Sequence, residues 1–223
     1  MHHDRIKGDL MRARNRIVAV VVAALTMLVG LSMPANAHGR TDPLGTRSLA
    51  AVLAKDGARF DRNPNDFDIL DAAVTAVLTA RPDSPVAVLA DGTTPLTAFL
   101  PTDRAFRRLA EELTGKRYRN ERAVFTDLAT TLGVDTIETV LLYHVVPGAT
   151  VTYKQALRSD GAVLTTALTG STLTVDVRRH RRVVLVDADT NDANPQVVRA
   201  NVDKGNLQIA HGINRVLRPV DLP

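Results

Sequence analysis

The chain contains no cysteine, and only 4% of its 223 residues are aromatic. Without cysteine there is no disulfide, no thiolate nucleophile, no lipoprotein attachment and no Cys-containing metal site. Stability has to come from the core alone. Other signatures are missing too. None of Ser48, Ser84, Ser159 and Ser171 sits in a Gly-x-Ser-x-Gly elbow, no glycine loop is placed to cradle phosphate, and no internal repeat is visible. Enzymatic activity is not expected, nor is a cofactor or a metal.

What is present begins with an address. Arg12, Arg14 and Arg16 precede an apolar run at residues 17–33, and the small-x-small motif Ala35-Asn36-Ala37 follows it. This order reads as a secretory signal peptide over residues 1–37, cut after Ala37. The run also approaches the roughly 18 to 20 apolar residues of a retained anchor, which is the alternative. The leader is long, and a start at Met11 would shorten it. A sequence pI near 9.7 suggests an anionic partner. Residues 1–37, however, hold five Lys/Arg and two Asp/Glu, leaving 23 against 22 in the remainder. A nucleic-acid partner, which requires clustered positive charge, is therefore not expected. The remaining chain, about 185 residues, suffices to bury about 70% of its unfolded surface in one domain.

Residues 38–66 read as a linker with a short helix, capped by Ser48 and ended by Gly57. Asp68 opens a stronger helix, in which Ile69, Ala73, Val74, Val77 and Leu78 share one face and Arg81-Pro82 closes the run. Residues 96–100 are short, apolar and followed by proline, which suits a buried strand. Thr102 then caps a helix with Asp103 in its first turn, Phe106, Leu109 and Leu113 on its inner stripe, and Gly115 at its end. Residues 121–131 and 136–144 form two further helices separated by Gly133, with Asp135 and Glu138 at capping-box spacing. Past Pro147-Gly148, β-type runs at 172–177, 183–186, 196–202 and 207–216 are divided by turns. Helices first and a strand meander later predict an α+β fold.

Four places carry candidate chemistry. His144, in LLYHVVPG (141–148), is crowded by Leu141, Leu142, Val145 and Val146. Burial disfavours imidazolium, so a neutral ring with one N–H donated is expected. His211 alternates with Ile209 and Ile213 and reads as packing; a two-histidine metal site with His144 would lack a third ligand. In VDADTNDANP (186–195), Asp187, Asp189 and Asn191 have the first spacings of a calcium loop, but Asp192 stands where glycine is needed and Val198 where glutamate is needed. A polar hairpin loop that binds no calcium is expected. Arg178, Arg179, Arg181 and Arg182, in RRHRR between two β runs, form a hairpin tip able to grip carboxylate, sulfate or phosphate groups of a polymer. The tip lacks the interleaved aromatics of a single-strand nucleic-acid binder.

Three segments taken together resemble the fasciclin (FAS1) family, in its bacterial, secreted, single-domain form. TAFLPTDRAF (97–106) is similar to the family's strand-to-helix motif, LLYHVVPG to its Tyr-His segment, and NLQIAHGINRVLRP (206–219) to its closing strand. Asp103 and Asn214 depart from the family's usual Asn and Asp without touching the apolar pattern. The resemblance implies a FAS1 domain over residues 67–220, a wedge of two small β-sheets with several helices along one side. It further implies an adhesion or interaction module, outside the cell or at its surface, that contacts a surface or matrix protein or polysaccharide. No membrane span is expected after cleavage, and the state expected is a monomer or weak self-association. Tyr143 and His144 carry over as contact candidates, Tyr143 being the expected contact point. The alternative function is an extracellular carrier or sensor of a small apolar ligand.

Overall fold

Alternation along two central strands divides the interior in two. The computed structural model describes residues 43–56 and 59–221. In it, β1 (Leu96–Pro101) and β7 (Gln208–Ile213) lie parallel, and every residue of both is buried. Successive side chains of a strand point to opposite faces. Leu96, Ala98, Leu100 and Ala210 therefore join one apolar cluster, while Phe99 and Ile213 join the other.

The first cluster is closed by helices. α1 (Leu49–Leu53), α2 (Asp68–Ala80), α3 (Asp103–Thr114) and α4 (Glu121–Tyr143) contribute Leu49, Ile69, Val74, Val77, Phe106 and Leu141 to it, among others. The second is closed by a small sheet of order β3-β4-β5, formed by β3 (Val163–Thr165), β4 (Thr172–Arg178) and β5 (Arg182–Val186). The central sheet has order β2-β1-β7-β6, with β2 (Val145–Pro147) and the bulged β6 (Val197–Val202) as its outer strands. A one-turn helix, α5 (Tyr153–Ala156), carries a complete capping box from Thr152 and Gln155. The α+β architecture of two small sheets and several helices is the one expected.

Several local readings hold. Ser48 Oγ accepts the Ala51 N–H, Gly115 ends α3 at φ 68°, and Gly133 interrupts α4 at φ 73°, ψ 164°. Others change once distant partners arrive. Thr102 occupies the cap position of α3 but makes no side-chain cap bond. Asp103, expected to serve its own helix, caps α2 instead: its Oδ1 accepts the Ile69 N–H at 2.9 Å and its Oδ2 the Asp68 N–H at 3.3 Å. Asp135 and Glu138 meet Arg81 in ion pairs, and Glu138 also accepts the Ser84 hydroxyl.

From residue 43 the chain is docked on the domain. Gly45 exchanges backbone bonds of 2.8 Å with Gly205 and Leu207, and Leu49 is fully buried. A Cβ on Gly92 would stand 1.8 Å from the Thr46 carbonyl oxygen, so only glycine allows this approach. Gln208 fastens the segment from below: its Oε1 accepts the Leu49 N–H at 2.8 Å, and its Nε2 donates to the Val88 and Asp91 carbonyls at 2.7 Å. Residues 1–37, the expected signal peptide, lie outside the described residues.

Candidate functional site

His144 stands at the C-terminal end of α4 and is buried. Its Nδ1 lies 2.7 Å from the Val140 carbonyl and its Nε2 accepts the Leu217 N–H at 2.9 Å. The Nδ1–H tautomer satisfies both partners. A second proton would leave the Leu217 N–H facing a donor, and burial holds the ring's pKa down to about 4. His211 is satisfied in the same way by the Val151 carbonyl at 2.9 Å and the Asn201 N–H at 3.2 Å, with its pKa also lowered by burial. Each ring joins segments far apart in sequence.

Tyr143, the expected contact point, is fully buried. Its hydroxyl donates to the Thr172 carbonyl at 3.0 Å and accepts the Ala188 N–H at 3.1 Å. Burial pushes its pKa up to about 12. The apolar neighbours that indicated a buried His144 apply equally to the residue before it. Its side chain offers no surface to a partner; it joins α4 to the second sheet.

The arginine tip is wholly exposed. Arg178 and Arg182 face each other across the last β4–β5 pair, and Arg179, His180 and Arg181 form the loop between them. Like charges directly opposite are unfavourable in a hairpin. His180 and Arg181 have φ of 63° and 58°, a region that costs a residue with a Cβ about 1 to 2 kcal/mol. Arg178 pairs with Asp176 at 2.8 Å, and Arg182 Nε reaches only the Arg179 carbonyl at 3.4 Å. Tyr153 donates to the Arg181 carbonyl at 2.8 Å and fastens the tip to α5.

The acidic loop between β5 and β6 is occupied by arginines. Asp187 accepts the Arg218 N–H at 2.9 Å, Asp189 meets Arg218 Nη1 at 3.3 Å, and Asp192 meets Arg215 Nη1 at 2.7 and 3.0 Å. Glu112 completes the network through both arginines.

A second acidic group has no sequence motif. Asp66, Asp103 and Glu121 each place a carboxylate oxygen within 4.8 Å of the others, and Asp61 and Asp68 form a further trio around Asp66. Asp103 and Glu121 are fully buried. Burial first, then the Asp66 carboxyl, raise the pKa of Asp103, and burial lifts Glu121 to about 7. Sequence reading missed this group because its members lie up to 60 positions apart and none of the familiar ligand spacings joins them. The only signal was an acidic residue at the start of each helix.

The apolar cavities are small. One of about 30 Å³ is lined by Phe106, Phe125, Leu128 and Leu141, and one of about 70 Å³ by Phe99, Val146, Val175 and His211. Ligand pockets run to about 300 to 1,000 Å³. Among the described residues no helix is long and apolar enough to cross a membrane.

No curated protein matches the chain. Among solved structures, a FAS1 domain pair from the insect cell adhesion molecule fasciclin I is similar, with 18% sequence identity and a TM-score of 0.44 over 66% of this chain and 44% of that one. The chain thus matches less than half the length of that structure. The Fasciclin domain model matches residues 73–219, from within α2 to past β7, taking in all three segments that carried the resemblance. The chain belongs to the Fasciclin domain family, whose general character is adhesion or interaction and not catalysis.

Proposed function

We propose that the chain is a secreted, single-domain interaction module that holds an anionic cell-surface or matrix polymer through Arg178, Arg179, Arg181 and Arg182. The observation carrying this reading is the tip itself. Two residues with a Cβ in the left-handed region and two arginines face to face are poor choices for hairpin stability. They are good choices for presenting guanidinium forks, which bind sulfate, phosphate and carboxylate bidentately. Tyr143 and His144 act behind the surface, positioning the second sheet and the chain end. The small cavities count against a carrier of an apolar ligand.

Replacing the four arginines by serine is expected to abolish retention on a heparin-like or teichoic-acid resin at moderate salt while shifting stability by less than about 0.5 kcal/mol, as exposed substitutions usually do. Tyr143→Phe is expected to do the reverse, lowering stability with retention intact. Co-elution of the serine variant with the parent would remove the tip from consideration.

A further inference from the structure

The first turns of three helices meet at one place. Asp103 and Glu121 are the first residues of α3 and α4, and Asp66 lies two positions before the start of α2. The loop carrying Asp66 is pinned there by backbone bonds from Asp103 to the Asp66 carbonyl at 3.1 Å and from Arg104 to the Pro64 carbonyl at 2.9 Å. Asp103 is in turn oriented by the two N–H groups of α2 that it caps. Two of the three carboxylates thus sit on helix starts and the third on a loop tied to one of them.

Glu121 points into this group without a well-formed hydrogen bond; only the Asp61 backbone N–H comes near enough to act on its carboxylate. The Glu121 side chain has no exposed surface, and neither carboxylate oxygen has a well-placed hydrogen-bond donor. The nearest basic group, Arg107 Nη2, stops at 3.8 Å, beyond hydrogen-bond reach, and Arg107 Nε is itself buried without a partner. Asp66 Oδ1 is also buried and unbonded. Helix starts favour anions, but none of their N–H groups reaches Glu121. Leaving a buried carboxylate uncompensated costs several kcal/mol. Fully ionised, Asp66, Asp103 and Glu121 would exceed the single distant arginine by two charges; without an ion the excess is relieved by a proton on Asp103, whose pKa burial and the Asp66 carboxyl raise to about 9.

We propose that Asp66, Asp103 and Glu121 bind a divalent cation of the calcium class. The donors are all carboxylate oxygens, the hard ligands such ions prefer, with no imidazole or thiolate to draw zinc or copper. Two ligands at about 2.4 Å from one ion lie at most about 4.8 Å apart, which is the limit the three oxygens meet. The loop carrying Asp66 is the side of the group nearest solvent. Asp61 is exposed, and Asp66 also lines an open groove of about 630 Å³ that has room for completing waters. Bound there, the ion joins the loop before α2 to the starts of α3 and α4. It does not depend on the arginine tip or on the adhesion reading.

The test is calorimetric titration of the chelator-treated, dialysed full chain with CaCl2 and, separately, MgCl2, together with thermal unfolding in each ion. The expected result is one calcium site and a melting temperature that rises with calcium. Asp66→Asn and Glu121→Gln are each expected to weaken calcium binding at least roughly tenfold, whereas Asp192→Asn, in the arginine-filled loop, leaves it unchanged. Asp66 lies in a half-buried loop, so its variant carries the test should Glu121→Gln fail to fold. No heat and no melting shift at millimolar calcium would overturn the proposal. So would a preference for magnesium, or calcium heat that both variants retain.

Discussion

The two ends of α3 handle negative charge in opposite ways. Near its C-terminal end Glu112 joins Asp189 and Asp192 around Arg215 and Arg218, and the Asp187 carboxylate accepts the Arg218 backbone N–H. At its N-terminal end Asp103 stands with Asp66 and Glu121 before one arginine at 3.8 Å. The first group includes the opening spacings of a calcium loop and is filled by guanidinium; the second has no recognisable spacing and only one arginine, beyond hydrogen-bond reach. Carboxylate spacing along the chain therefore says little about where a cation belongs. What decides is whether the fold delivers an arginine to the same place, and Arg215 and Arg218 arrive from the segment after β7.

Removing Arg218 should break the comparison most severely. Arg218→Ala leaves Asp189, whose side chain is 1% exposed, as an uncompensated buried charge. The expected loss is about 3 to 5 kcal/mol, read as a lower urea midpoint, and it should shrink markedly when Asp189 is changed to a neutral residue in the same chain. A loss under about 1 kcal/mol would mean that the paired end does not depend on its pairs.

Acid should loosen the same end more gently through His144, which accepts the N–H of Leu217, the residue before Arg218. Its pKa in the folded chain, about 4, lies below the ordinary 6.5. The unfolded chain therefore takes up the proton first as pH falls. The contribution is complete above about pH 6.5, declines on the way down, and is gone below about pH 4, for a total on the order of 3 kcal/mol. Asp187, raised to about 6 by burial, works the other way over part of this range. The measurement is thus the difference in stability between parent and His144→Gln from pH 4 to 7. Gln retains an acceptor for Leu217 but cannot titrate, so parallel curves would exclude His144 as the acid-sensitive group.

What could be read in advance follows from how local each signal is. The face of α2, the inner stripe of α3, the glycine break in α4 and the apolar strands β1 and β7 are set by neighbours within a few positions. β2, β3 and α5 span three or four residues each and escaped notice, because nothing within so short a run separates them from loop. β2 exists by pairing with β1 at three positions. Burial of His144 was legible from its aliphatic neighbours, whereas its acceptor role toward Leu217, 73 positions away, was not. Asp103 is the sharpest instance: its place in the first turn of α3 was evident, yet its hydrogen bonds go to α2, 34 and 35 positions back. The carboxylate group at the start of α3 is the sum of such long-range arrivals and had no local trace beyond acidic first turns.

The smallest expected effect is the most discriminating, because its sign depends on the solution. In chelator-treated protein at about pH 8, above the value to which burial lifts Glu121, Glu121→Gln replaces an unbonded buried charge with a neutral amide. The amide can also donate to Asp66 or Asp103. A gain on the order of 1 kcal/mol is expected, since charges buried without partners destabilise. With calcium the order reverses: the parent gains the ion's binding energy, the variant does not, and the substitution becomes destabilising. At the other end of α3, Asp189→Asn removes a charge that Arg218 already holds, and should lower stability by a similar amount with or without calcium. Thermal unfolding of the three proteins in both buffers separates the cases. A sign change confined to Glu121→Gln marks one end as a cation site and the other as a closed ion network, and a loss from Glu121→Gln in both buffers would make the two ends alike.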